Sequence, residues 1–146
     1  MTEIFVELHV DSFQKAIDFY KLLGFELSWV GEDYLVLNKN GNVLNFYKGV
    51  GPNYQHPYFK DFSSDTKRGY GVELVIFEKD IKELYEKIKD KVKIVEELKY
   101  KRWDKWDFRI EDPFGFYLRI TEPDDWKHPK YLEKSKQVIS ETNLKV

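Results

Sequence analysis

No cysteine occurs in the 146 residues, so the fold has no disulfide to rely on and no thiolate for nucleophilic, redox or zinc chemistry. A metal site would have to be assembled from the three histidines and the carboxylates. An excess of one charge is also missing: 24 Lys and Arg oppose 26 Asp and Glu, and the two signs alternate along the chain. Without a basic field there is nothing to attract a phosphate backbone, so nucleic acid is not an expected partner. No apolar run approaches the roughly 20 residues of a membrane-spanning helix. Met1-Thr2-Glu3-Ile4 has no basic stretch leading into an apolar one, so a cytoplasmic protein with no membrane partner is expected. Phosphate-binding glycine loops, a dinucleotide fingerprint and a Ser-His-Asp set are absent as well. What is abundant is aromatic: Phe, Tyr and Trp make up 17% of the chain, enough for a core, a stacking wall, or both.

An internal repeat organises the chain. Val6-Glu7-Leu8 recurs as Val72-Glu73-Leu74, each within an alternating apolar pattern that predicts a strand. A helix follows each strand. Phe13, Ala16, Ile17, Tyr20 and Leu23 form the first stripe, with Asp11 and Gln14 spaced as a capping box and Gly24 as a stop. Ile81, Leu84, Tyr85 and Ile88 form the second, behind Asp80 and Glu83. Phe25 to Val30 and Val92 to Tyr100 each carry enough β-branched and aromatic residues for one further strand. Two strands then flank Asn40-Gly41 in one copy and Pro113-Phe114-Gly115 in the other, both good hairpin turns. The pattern predicts an α+β fold of two βαβββ modules, paired half-barrels enclosing a cup, within one domain over 1–146. Module one covers 1–47, module two 71–122, and residues 48–70 form a linker long enough to act as a lid. In the extension over 123–146, Tyr131, Leu132, Ser135, Val138 and Ile139 predict an amphipathic helix that serves the core or a second subunit.

Ala16-Ile17-Asp18-Phe19-Tyr20-Lys21-Leu22-Leu23-Gly24-Phe25 and Asp112-Pro113-Phe114-Gly115-Phe116-Tyr117-Leu118-Arg119, at these places in a duplicated chain, resemble the vicinal-oxygen-chelate superfamily of glyoxalase I, extradiol dioxygenases and bleomycin-resistance proteins. The resemblance implies metal-ligand positions on the first and last strand of each module, which fall here on Phe5, Asn45, Gly71 and Arg119. Phe and Gly offer no ligand, Arg repels a cation and a lone amide binds one weakly, so no metal and no cofactor are expected. Leu44-Asn45-Phe46-Tyr47 and Leu118-Arg119-Ile120 resemble the bleomycin-resistance branch. That likeness implies antibiotic resistance by sequestering a small molecule without metal, in a homodimer with clefts shared between subunits.

Strand parity assigns the cup. If Val6, Leu8, Val10, Val72, Leu74, Ile76, Phe108, Ile110, Leu118 and Ile120 lie under the helices, the candidate ligand-binding residues are Glu7, His9, Asn45, Tyr47, Glu73, Asp107, Arg109, Tyr117 and Arg119. Trp103 and Trp106 join Tyr47 and Tyr117 as candidate stacking walls. Glu7, Glu73, Arg109 and Arg119 form either a clamp for a polar ligand or a network of mutual ion pairs. His9 with Glu7 and Glu73 would be an unconventional metal shell, whereas Asp124, Asp125 and His128 read as cap and turn residues. A binding protein for a polar aromatic or zwitterionic ligand is the leading expectation. The alternatives are a lyase or isomerase with Glu7 or Glu73 as general base and Arg109 or Arg119 at an oxyanion, and a regulatory module whose terminal helix binds a partner.

Overall fold

The computed structural model describes residues 3–49, 56–59 and 68–146. Each module forms one four-stranded mixed sheet with a helix on one face. Module one contains β1 (Val6–Val10), α1 (Phe13–Leu22), β2 (Glu26–Val30), β3 (Tyr34–Lys39) and β4 (Asn42–Lys48), in sheet order β1-β4-β3-β2. Module two contains β5 (Leu74–Phe77), α2 (Ile81–Ile88), β6 (Lys93–Lys101), β7 (Lys105–Glu111) and β8 (Tyr117–Thr121), in the same order, β5-β8-β7-β6. The first strand of each module runs parallel to its last and the other neighbours are antiparallel. This is the expected pair of βαβββ modules, and the sheets do not close into a barrel.

Local chemistry places the ends of the elements. The cap of α1 is Ser12, whose Oγ accepts the Lys15 N–H, in place of the expected Asp11. At its other end Phe25 N–H reaches Tyr20 O and Gly24 N–H reaches Lys21 O, a Schellman closure made possible by Gly24 at φ +86°. Asp80 precedes α2 without a side-chain cap bond. Asn40 and Gly41, both at positive φ, make the two-residue turn between β3 and β4.

The apolar residues of both modules share one core. Tyr20, Phe46, Phe108, Ile110, Leu118 and Ile120 have no exposed surface in it. Removing each such ring or branched side chain from water contributes about 1.5–3 kcal/mol. A buried polar contact also crosses between the modules: Tyr20 Oη donates to Asp112 Oδ2 at 2.8 Å, while Asp112 Oδ1 accepts the N–H groups of Phe114 and Phe116. Lys39 adds a second crossing, donating to Leu23 O and Glu78 Oε2.

Three expectations are corrected. Strand β5 starts at Leu74 and leaves Val72 58% exposed, because a turn with Gly69 and Gly71 at positive φ, closed by Val72 N–H to Gly69 O, occupies the residues before it. Pairing then sets Glu7 opposite Asn45 but Val75 opposite Arg119, so the repeat mate of Glu7 is Val75 and that of Phe5 is Glu73. The third correction concerns the C-terminal helix, α3 (Pro129–Thr142), which forms but buries no residue, so its apolar face does not serve this chain's core. Most of the expected lid over 48–70 lies outside the described residues. No helix among the described residues is long and apolar enough to cross a membrane.

Candidate functional site

The faces turned away from α1 and α2 carry two chemically different half-cups. In module one, β1, β3 and β4 bring Glu7, His9, Tyr34, Asn45 and Tyr47 together. His9 Nε2 lies 3.1 Å from Glu7 Oε1, Tyr34 Oη donates to Glu7 Oε2 at 2.5 Å, and Asn45 Nδ2 donates to Tyr34 Oη at 3.2 Å. The Oδ1 of Asn45 is buried with no hydrogen-bond partner among the described residues. The rings of Tyr47, His56 and Phe59 each centre 5.2 Å from that of His9. Burial lowers the His9 pKa, and the charges of His56 and Arg68 add to it, outweighing the opposing pull of Glu7, so the neutral imidazole is favoured.

Module two is ionic. Arg109 Nη1 donates to Tyr117 Oη at 2.8 Å, its Nε lies 3.2 Å from Glu96 Oε2, and Nη2 lies 3.7 Å from Asp107 Oδ2. Asp107 has no exposed surface and is also 3.6 Å from the Lys101 ammonium. Charge rather than hydrogen bonding accommodates this carboxylate, since neither of its oxygens accepts a hydrogen bond among the described residues. Arg119 behaves differently. Its Nε is 3.2 Å from Glu73 Oε1 and its guanidinium carbon is 5.9 Å from the centre of the Trp103 ring. At that Nε the contact is ionic, because its hydrogen is misaligned for a bond to Glu73. The terminal nitrogens of Arg119 have no hydrogen-bond or ion-pair partner among the described residues, and the side chain lines a cleft of about 540 Å³.

The structure thus brings together Glu7, His9, Asn45 and Tyr47 in one half-cup, and Glu73, Asp107, Arg109, Tyr117, Arg119 and Trp103 in the other. Trp106 does not belong with them. It shares the face of Phe108 and Ile110, packs against the core and Tyr100, and lies under the Lys82 ammonium of α2 at 4.2 Å. The proposed His9, Glu7 and Glu73 metal shell is divided as well, with Glu7 bound to His9 and Glu73 to the arginines. Among the described residues no three His, Cys, Asp or Glu side chains are grouped to hold a metal. Tyr34, His56, Phe59, Glu96 and Lys101 were missed by parity along the first and last strands. The inward alternation of β3, Tyr34 then Val36, could have found Tyr34; nothing local marks the other four.

Two βαβββ modules with helices on one side and a divided cup on the other define a paired-module fold. Residues 4–120 match the family model described as Glyoxalase/Bleomycin resistance protein/Dioxygenase superfamily. The chain belongs to that superfamily. It is similar to a solved protein of unknown function from Agrobacterium tumefaciens str. C58, at 17% identity and TM-score 0.70, covering 85% of this chain and 95% of that one. It is similar also to a bleomycin resistance determinant encoded on the transposon Tn5, at 17% identity and TM-score 0.60, covering 86% and 100%. A bleomycin-binding protein solved with bleomycin is 18% identical, with TM-score 0.56, covering 85% and 100%. No curated protein matches the chain.

The superfamily's metal does not suit these residues. With the register of β5 corrected, the four family positions are Phe5, Asn45, Glu73 and Arg119, replacing Gly71 by Glu73. The one carboxylate among them is already paired with the guanidinium that occupies the fourth position. A dication placed there would face a fixed positive charge.

Proposed function

We propose that the chain is a metal-free small-molecule binding protein of the bleomycin-resistance type, which sequesters a polar aromatic or zwitterionic ligand on the inner faces of its sheets. The observation that carries this reading is Arg119. It stands at a position where metalloenzyme relatives place a metal ligand, holds Glu73 by one edge, and offers its terminal nitrogens to a cleft beside the Trp103 ring. A guanidinium fork of this kind receives a carboxylate or phosphate in two parallel hydrogen bonds. In module one, the buried Asn45 Oδ1, with no hydrogen-bond partner among the described residues, supplies an acceptor for a ligand's N–H group among aromatic rings. The solved relatives named for bleomycin support sequestration as the use of such a cup. The alternative enzyme reading has less support: both oxygens of Glu7 are engaged by His9 and Tyr34, and Glu73 is engaged by Arg119 and Arg109.

The test is a thermal-shift screen of anionic, cationic and zwitterionic aromatic compounds, repeated with a chelator, with hits titrated by calorimetry and recovered for mass analysis. Saturable binding that ignores the chelator and returns the compound unchanged is expected. Failure of every class, binding that needs a restored divalent ion, or a converted product overturns the reading.

A further inference from the structure

The 540 Å³ cleft at Arg119 is lined in part by residues of the C-terminal extension, beyond the residues 4–120 that match the superfamily. Module two contributes Val75, Phe77 and Arg119 from its inner face, with Trp103 of the β6–β7 turn 5.9 Å from the Arg119 guanidinium carbon. The extension contributes Trp126, with Lys130 and Lys134 of α3. Two indoles therefore border one cleft, and both are exposed, Trp103 by 41% and Trp126 by 68%. Exposed Trp is costly to leave in water and is well suited to stacking on a flat ligand.

The charges are unequal in availability as well as number. Five cations line the cleft: Arg102, Lys105, Arg119, Lys130 and Lys134. Its three acids are Asp104, Glu122 and Asp124. Glu122 accepts the Trp106 N–H, Asp124 accepts the Tyr131 hydroxyl and the Asp125 N–H, and Asp104 is in reach of the Tyr100 hydroxyl at 3.5 Å. Lys105 is bound to Pro123 O and Lys130 rests over the Tyr131 ring. Arg102, Lys134 and the terminal nitrogens of Arg119 have no ion-pair or hydrogen-bond partner among the described residues. Five cations against three acids give the lining a net positive charge, and the cations with unfilled donors are the ones placed to take an anion.

We propose that this cleft, lined by module two and α3, binds a planar aromatic anion, an aryl carboxylate or aryl phosphate, between Trp103 and Trp126 with its charge on Arg119, Arg102 and Lys134. This rests on the small-molecule-binding reading above, makes the extension part of the site, and names the ligand class.

The experiment titrates the full chain calorimetrically with 1-naphthoate, indole-3-acetate and phenyl phosphate, and with 1-naphthylmethylammonium as the cationic counterpart. At least one anion is expected to bind, to weaken with added salt, and to shift the indole N–H resonances of Trp103 and Trp126, while the cation does not. Trp126→Ala, Arg102→Glu and Lys134→Glu alter exposed side chains, so each should melt like the parent and bind the anion about tenfold or more weakly, a difference of about 1.4 kcal/mol. The inference is overturned if none of the three anions binds, if the cation binds as well, or if the variants bind unchanged. A ligand of another class that binds regardless of Trp126 and Lys134 would leave the sequestration reading standing and remove this one; silence across all classes would remove both.

Discussion

The two inward arginines of module two differ in what they have left to offer. Arg109 is enclosed by Glu73, Glu96, Asp107 and Tyr117, whereas Arg119 touches Glu73 and opens to the cleft. Replacing Arg109 by Met should therefore destabilise the protein by about 3 kcal/mol, the lower end for breaking a buried pair, because Lys101 remains near the buried Asp107. Arg119→Met should melt close to the parent yet lose the ligand found by screening, and Arg119→Lys should recover little affinity, lacking the fork. Equal melting losses in both Met variants, with affinity intact in Arg119→Lys, would refute the division of roles. His9 gives a pH prediction. Its folded pKa lies below its ordinary 6.5, so the unfolded chain binds the proton more readily, and stability falls as pH drops from about 6.5 toward the folded value. A His9→Asn variant should lose that part of the pH dependence, and the ring resonances of His9 should titrate with a midpoint below 6.5. A midpoint above it would mean that Glu7 outweighs burial. Strand parity in the sequence already places Glu7, His9, Arg109 and Arg119 inward. It does not disclose that His56 and Phe59 flank His9, or that Glu96 takes Arg109, because those contacts come from a linker and an outer strand whose register no local pattern fixes.

At the scale of elements, both helices, all eight strands and the terminal helix are legible from apolar spacing and turn residues. The misreading in β5 has a definite cause. A slip of two residues keeps every side chain on its own face, so alternation alone cannot distinguish Val72-Glu73-Leu74 from Leu74-Val75-Ile76 as the mate of Val6-Glu7-Leu8. Pairing with β8 distinguishes them, and it depends on a turn whose glycines take up the slack. Trp106 shows the complementary case: its parity with Phe108 places it under α2, however well an indole would suit the cup. The link between α1 and the β7–β8 hairpin supplies a further prediction. Burial raises the Asp112 pKa, opposed by the Tyr20 hydroxyl and two backbone N–H groups, and Tyr20 lies 92 residues away in sequence. Tyr20→Phe removes one of those donors and leaves Asp112 Oδ2 buried without it, at a cost of roughly 1–3 kcal/mol. Because the hydroxyl favours the ionised carboxylate, the gap between parent and variant should shrink as pH falls through the raised pKa of Asp112. A gap independent of pH would assign the effect to packing.

At the scale of the whole molecule, apolar surface stays exposed among the described residues. Strand β2 is the edge of the first sheet and is exposed along its length, with Leu27, Trp29 and Val30 at 54%, 54% and 49%. An uncovered apolar edge is an invitation to pair with another chain, and stable monomers usually blunt it with charge or cover it. Here Glu26 is the single charged residue of the strand, and a bulge between Leu27 and Trp29 leaves the rest of the edge available. Helix α3 presents Leu132 and Val138 to solvent in the same way. Charge does not oppose association, since the net value is −2. The expected state is thus a homodimer in which a second copy covers β2. Sedimentation across a concentration series should give a dimer mass that dissociates on dilution. Trp29→Glu, placed on an exposed ring of the edge and away from the shared core, should shift the equilibrium toward monomer by tenfold or more, about 1.4 kcal/mol. Its unfolding curve should then become independent of protein concentration, whereas that of the parent rises with it by mass action. A parent mass that stays monomeric at every concentration would reject the dimer. A dimer indifferent to Trp29→Glu would move the interface from β2 to another surface, with the outward side of α3, tested by Leu132→Glu, next in order.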